Sequence, residues 1–252
     1  MLKLKKNQIN FYKKNGYLLI RNQFKRGDIK KLSDYIKEIK NFKEIKGRYM
    51  IYFDKSKDQK NVLTRTENFL TFHKKTNKLL KKNNISKLVD QLLKNKSVLF
   101  KDKINWKYPN AEGFEPHQDA QVWEYLYPNI KSFISLAISI DKTNKKNGCL
   151  EVVKGQHFYG LMGSNKSAID KNIVKKMKWQ SIYTKPGDLI FFDSYTPHRS
   201  GKNLSKKPRV MIYLTYNAKK DGNLKKEYFT NKRKSFPPNI EREKGKKYKY
   251  LI

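Results

Sequence analysis

The sequence predicts a mostly-β chain with helices gathered at its N-terminal end. Two contrasting apolar patterns carry that prediction. Early in the chain Ile29, Leu32, Ile36 and Ile39 recur at helical spacing, and so do Ile85, Leu88, Val89, Leu92 and Leu93. After Val98 the spacing gives way to short β-branched or aromatic segments, most of them separated by Asn, Gly, Pro or Asp. Several short strands with long connections then suggest a jelly roll or a barrel.

Gln8 to Asn15 reads as a short helix ended by Gly16, and YLLIRNQF reads as a strand. Asp28 is placed to cap the next helix, whose outer face carries Lys30, Lys31, Lys37 and Lys40. Another helix covers Ile85 to Leu93. The strands that follow are VLFKDKINWKY, SFISLAISID, CLEVVKG, WQSIYTK, DLIFFDS and RVMIYLTYN. Lys142 to Gly148, KTNKKNG, is a turn-rich loop among them. From Asp221 onward, with Pro237–Pro238 and KGKKYKY, the chain reads as loop and surface extension. It shows no internal repeat. The expectation is one domain over 1–252: a helical region over residues 1–97, a β core over 98–217 and a C-terminal extension over 218–252.

Composition limits the function. Of the 252 residues 37% are hydrophobic and 13% aromatic, so Tyr and Phe must supply much of the buried area. The single cysteine, Cys149, excludes an internal disulfide framework and suits a reducing compartment; it is expected to pack as a small hydrophobe. The first apolar run, GYLLI, is too short for a secretory core, and no run of about 18 apolar residues occurs. A soluble cytoplasmic protein with no membrane association is expected. A net charge of +36 is an electrostatic footprint of phosphate binding. The lysines, however, are spread along the whole chain, and Lys, Asn, Ile, Tyr and Phe share A/T-rich codons. Nucleic acid is therefore not the expected partner, while a positive field still draws in small anions.

The chemistry starts at GFEPHQDAQVW, Gly113 to Trp123. His117 and Asp119 alternate about Gln118, so on a strand both side chains reach one ion. The pair alone is a weak signal, since two polar residues at a strand end are commonplace. His198, after DLIFFDSYTP, offers a third ligand. Two histidines and a carboxylate with open positions suit non-haem Fe(II) better than a thiolate-seeking structural zinc. Arg209 opens the run RVMIYLTYN, where a guanidinium can clamp a carboxylate; Ser200, on the same strand side as His198, can add a hydroxyl.

Together HQD at 117–119, NGCLEVVKGQH at 147–157, PGDLIFFDS at 186–194 and HRSGKNLSKKPR at 198–209 resemble the phytanoyl-CoA dioxygenase family. The resemblance extends from about Asn7 to about Asn217. It implies a double-stranded β-helix (a cupin-like jelly roll) that uses Fe(II), 2-oxoglutarate and O2 to hydroxylate a C–H bond. It implies His117, Asp119 and His198 as iron ligands and catalytic residues. It also implies Arg209 and Ser200 on the distal 2-oxoglutarate carboxylate, and Gln118 near the co-substrate. Halogenating relatives lack the carboxylate, so Asp119 favours hydroxylation. One departure is Lys154, where the family's Pro-Gly-x-His turn has proline; a change in turn rigidity is expected.

Within the family, KDKINWKYPNAEGFEPHQD resembles members that hydroxylate small organophosphonates such as 2-aminoethylphosphonate. A phosphonate dianion needs several donors. Lys107, Arg65, Asn105 and Arg199 are the candidates, each of which could equally be a surface or structural charge. Trp106, Trp123 and Tyr125 could line the pocket or simply fill the core. His73 and His157 are expected to be structural. Two alternatives stay open: a hydroxylase of acyl-CoA or carrier-bound acyl groups, and a non-catalytic basic binding protein.

Overall fold

The structure, a computed structural model, describes residues 3–55, 61–130, 132–163 and 168–248. In order the elements are α1 (Lys6–Asn15), β1 (Tyr17–Ile20), α2 (Arg26–Lys40), β2 (Met50–Lys55), β3 (Asn61–Glu67), α3 (Lys74–Lys82) and α4 (Ile85–Leu93). Then come β4 (Ser97–Lys107), β5 (Phe114–His117), α5 (Ala120–Leu126), β6 (Phe133–Ser139), β7 (Leu150–Val153), α6 (Lys171–Lys176) and β8 (Trp179–Ile182). The chain continues with β9 (Leu189–Asp193), β10 (His198–Ser200), β11 (Arg209–Ala218) and α7 (Lys225–Ser235).

Two antiparallel sheets make the jelly roll. The larger has the order β1-β9-β6-β11-β4-β3-β2, the smaller β5-β10-β7-β8. Alternation along the strands divides their side chains between two environments. Ile104, Leu136, Ile138, Ile212 and Leu214 pack in one cluster with Leu32, Ile36, Leu88 and Val89 of the helices. Ala137, Ile190, Phe192 and Met211 face the other way and meet Leu150, Val152 and Ile182 of the smaller sheet. β6 is buried along its whole length, which is why it reads as a nearly unbroken apolar run.

Several sequence expectations change. The region before residue 98 is not only helical: β1, β2 and β3 extend the larger sheet at both edges. The strand expected over YLLIRNQF stops at Ile20. Asp28 lies in the first turn of α2 instead of capping it, and its carboxylate bonds Lys82 and Asn83 of α3 at 3.1 Å each. The C-terminal segment is more than a surface extension. In α7 Tyr228 and Phe229 join Phe100, Trp123 and Phe133 in a second core cluster, and Lys232 is buried against Glu67. Residues 249–252 of the expected extension lie outside the described residues. Among the described residues no helix is long and apolar enough to cross a membrane.

Candidate functional site

The site forms where β5 and β10 pair. His117 and His198 are direct cross-strand partners, and their ring centroids lie 4.2 Å apart. This pairing requires Gly113: a Cβ there would stand 1.8 Å from the Ser200 carbonyl oxygen. Gly16, in the left-handed region with φ 76°, ends α1 where a Cβ would strike Thr196 and His157. The Thr196 hydroxyl donates to the Gly16 carbonyl at 2.7 Å, tying α1 to the turn that enters β10. Asp119 follows β5 directly at the start of α5.

The donor atoms of His117, Asp119 and His198 all lie within 4.8 Å of one another. Backbone carbonyls can only accept, so each ring must donate from Nδ1: His117 to Glu115 at 2.6 Å, His198 to Thr196 at 2.9 Å. Both Nε2 lone pairs are thereby left for an ion. Burial, then the neighbouring His198, pushes His117 down to about 3 despite Asp119 nearby; burial also lowers His198. Neutral imidazoles are the form that ligates. Burial alone would raise Asp119, but the imidazoles, Lys101 and a 2.9 Å hydrogen bond from Ser135 hold it below its ordinary value. The donor set therefore fits a divalent iron with coordination positions to spare.

The triad opens on a cleft walled by Lys101, Lys103, Phe114, Leu150, Phe192 and Tyr213. Behind Ser200 of the cleft wall Arg209 and Lys107 face each other across β11 and β4, neither of them among the lining residues. Lys107 donates to the Ser200 hydroxyl at 2.9 Å and the Gly201 carbonyl at 2.6 Å. Arg209 donates from Nη2 to the Gly148 carbonyl at 2.5 Å, while its buried Nε has no partner among the described residues. Asn105, beside them on β4, keeps a buried Oδ1 that is likewise unpartnered among the described residues. The orphaned Arg209 Nε–H, beside a second cation, fits the carboxylate of a diacid; the Asn105 oxygen can only accept and suits a donor instead. Burial and then the Arg209 charge bring Lys107 down to about 7.

Not every expected residue faces the cleft. Gln118, expected near the co-substrate, is not among the lining residues: its side chain bonds the Gly160 and Tyr195 carbonyls and accepts from the Met162 amide, at 2.7–2.8 Å. Standing between the end of β5 and the start of α5, it ties the surrounding loops together. Arg65, expected on substrate, is not among the lining residues; its guanidinium stacks over Tyr52 and Phe236. Arg199 borders the cleft, but its guanidinium bonds Glu151 at 2.7 Å and stacks over Trp179. Lys107, expected on substrate, is not among the lining residues; it pairs with Arg209 across the strands and donates to Ser200. Trp106 and Trp123 are core residues, and Tyr125 is half exposed. His73 caps α3 and meets Glu38, His157 bonds the Lys13 carbonyl, and Cys149 is a buried free thiol. Sequence reasoning missed Lys101, Lys103, Ser135, Tyr213 and Thr215, all of which line the cleft. For the two lysines the signal was present: KDKINWK places Lys101, Lys103, Asn105 and Lys107 on one strand face.

The family model for phytanoyl-CoA dioxygenase (PhyH) matches residues 12–211. A 2-aminoethylphosphonate dioxygenase from uncultured bacterium HF130_AEPn_1 is 35% identical over 94% of this chain and 90% of its own. A methylphosphonate hydroxylase from Gimesia maris is 32% identical over 96% of this chain and 92% of its own. Among solved structures EctD from S. alaskensis, with 2-oxoglutarate and 5-hydroxyectoine, superposes with a TM-score of 0.77 at 18% identity. The superposition covers 86% of this chain and 77% of that one, a likeness of fold.

Proposed function

The chain belongs to the phytanoyl-CoA dioxygenase family of Fe(II)- and 2-oxoglutarate-dependent oxygenases, and from that premise we propose that it hydroxylates a small alkyl- or aminoalkylphosphonate. The supporting observation is that two relatives matching nearly end to end are both named for phosphonates, while lysines line the cleft beside the His117, Asp119 and His198 cluster. His117, Asp119 and His198 would hold the iron. Iron bound there supplies the redox chemistry that couples 2-oxoglutarate decarboxylation and O2 consumption to hydroxylation of a substrate C–H bond.

The protein's own share is positioning and water exclusion. The Glu115 and Thr196 carbonyls fix both imidazole tautomers, and Ser135 fixes the Asp119 carboxylate. Arg209, Lys107 and Ser200 form the clamp for the distal carboxylate of 2-oxoglutarate, so Lys107 serves the co-substrate here instead of the substrate. Phe192 packs on the His198 ring and Leu150 closes the wall beside it, keeping that side of the site apolar.

A succinate-release assay with Fe(II), ascorbate and 2-oxoglutarate tests the substrate. Turnover is expected with methyl- or 2-aminoethylphosphonate; turnover on acyl-CoA with none on phosphonates would sink the proposal. The clamp carries its own pH dependence. Lys107 binds a carboxylate when charged, and its free ammonium sits at about 7. Carboxylate binding favours the charged form, so a proton is taken up and affinity falls as pH rises above 7. The 2-oxoglutarate Kd is expected to be about fivefold weaker at pH 8 than at pH 7. Anaerobic calorimetry measures it, and Lys107→Met should bind more weakly and lose that slope.

A further inference from the structure

The two ends of the cleft differ in what they can hold. Lys101, Lys103 and Asn105 line it from alternate positions of β4, and Lys107 continues the same face. Lys107 pairs with Arg209 at the clamp; Lys101 pairs with Thr215, six residues away. At ~3.3 Å per residue that is a separation of about 20 Å along the strand. A five-carbon diacid seated on Arg209 does not span it. The Thr215 hydroxyl meets that of Ser135, which bonds Asp119. The Lys101 end therefore lies on the Asp119 side of the triad, away from the clamp. Lys103 stands between the two ends, its Nζ 5.1 Å from the Phe114 ring centroid and 5.4 Å from that of Tyr213.

We propose that Lys101 and Lys103 hold the phosphonate head of the substrate, an assignment that rests on the phosphonate reading. Charge supports it. Among the described residues Asp119 is the only carboxylate lining the cleft and belongs to the metal site, Arg199 is engaged by Glu151, and Glu67, the cross-strand partner of Lys103, lies outside the lining and is matched by Lys232. Two ammonium groups one strand repeat apart can each give a charge-assisted hydrogen bond to one of the three oxygens of a dianion seated between them. Each lysine ammonium is a compact point charge with three rotatable donors, able to reach a three-oxygen head from its own side. The Thr215 hydroxyl lies within the same wall. α7 contributes too: Lys101 Nζ lies 5.5 Å from the Tyr228 ring centroid. That helix falls after residue 211, so a segment beyond the family match braces one of the anchoring lysines.

The test uses the full chain and phosphonate binding read by 31P NMR line broadening, with methylphosphonate and 2-aminoethylphosphonate as probes. Lys101→Met and Lys103→Met keep the aliphatic stem and remove the charge. Each is expected to weaken phosphonate binding roughly 10- to 100-fold, as loss of a charge-assisted hydrogen bond does. The 2-oxoglutarate Kd should stay within about twofold, and Lys101→Arg should recover most of the loss. If Lys101→Met does not fold, Lys103→Met carries the same expectation alone. Unchanged phosphonate binding in the folded variants, with the wild type binding, overturns this assignment and leaves the proposed function standing. A parallel loss of 2-oxoglutarate affinity overturns it too, by placing the lysines in the clamp. A wild type that broadens neither probe overturns both.

Discussion

His117→Ala is expected to abolish phosphonate-coupled turnover while the protein stays folded. Fe(II) binding should weaken by well over the roughly 10- to 100-fold that losing a ligand's own hydrogen-bond partner costs. His117 is one of three donors lying within 4.8 Å of one another, and its removal leaves only His198 and Asp119. The fold does not need the ring in the same way. A neutral buried imidazole beside another carries no net charge for the core to balance, and its Nδ1 hydrogen bond goes to the Glu115 carbonyl. Leaving that carbonyl unpaired costs about 1–3 kcal/mol. At roughly 2–4 °C per kcal/mol for a chain of this size, Tm falls by no more than about 12 °C. Anaerobic Fe(II) titration beside a melting curve separates the two effects. An Fe(II) isotherm matching the wild type would mean that His117 is not a ligand.

Alternation along a strand made half of this site readable, and distance along the chain hid the rest. His117 and Asp119 flank Gln118, and the alternation that suggested a shared face proved only a partial guide: β5 ends at His117, and Asp119 reaches the site from the helical turn that opens α5. The resemblance to the family implied a place for Gln118 near the co-substrate, while its side chain is spent on the Gly160 and Tyr195 carbonyls. The same rule picks out Asn105 and Lys107; carried further back along β4, it reaches Lys103 and Lys101. That β5 lies beside β10 is a fact of topology no local pattern contains. Arg65 shows the same limit, because one of the rings that hold it is Phe236, near the far end of the chain. Helix α7 escaped notice because KKEYFTNKRKS has no apolar stripe: two aromatic rings and one lysine are all it buries.

That buried lysine is where the largest stability effect is expected. Lys232→Met should destabilise the protein by about 3–5 kcal/mol, the usual consequence of leaving one partner of a buried ion pair unmatched. Lys232 Nζ lies 2.8 and 2.6 Å from the two oxygens of Glu67, whose side chain is fully enclosed. Burial by itself would raise Glu67, but Lys232, with Lys101, Arg65 and Lys103 around it, outweighs burial and holds the carboxyl at about 2. A depressed carboxylate stabilises the fold above its unfolded value near 4.5 and loses that contribution as pH falls toward 2. In Lys232→Met the balance tips the other way. Burial then dominates, the carboxyl rises, and protonating it relieves the variant while it weakens the wild type. The difference in stability between the two proteins should therefore shrink as pH is lowered from about 7 to about 3, as urea melts at each pH would show. A gap that stays constant across that range would place the stabilisation in the packing of α7 instead of its charge. The double change Glu67→Leu with Lys232→Met should recover much of the loss, since an apolar pair of similar volume replaces a matched ion pair at little cost.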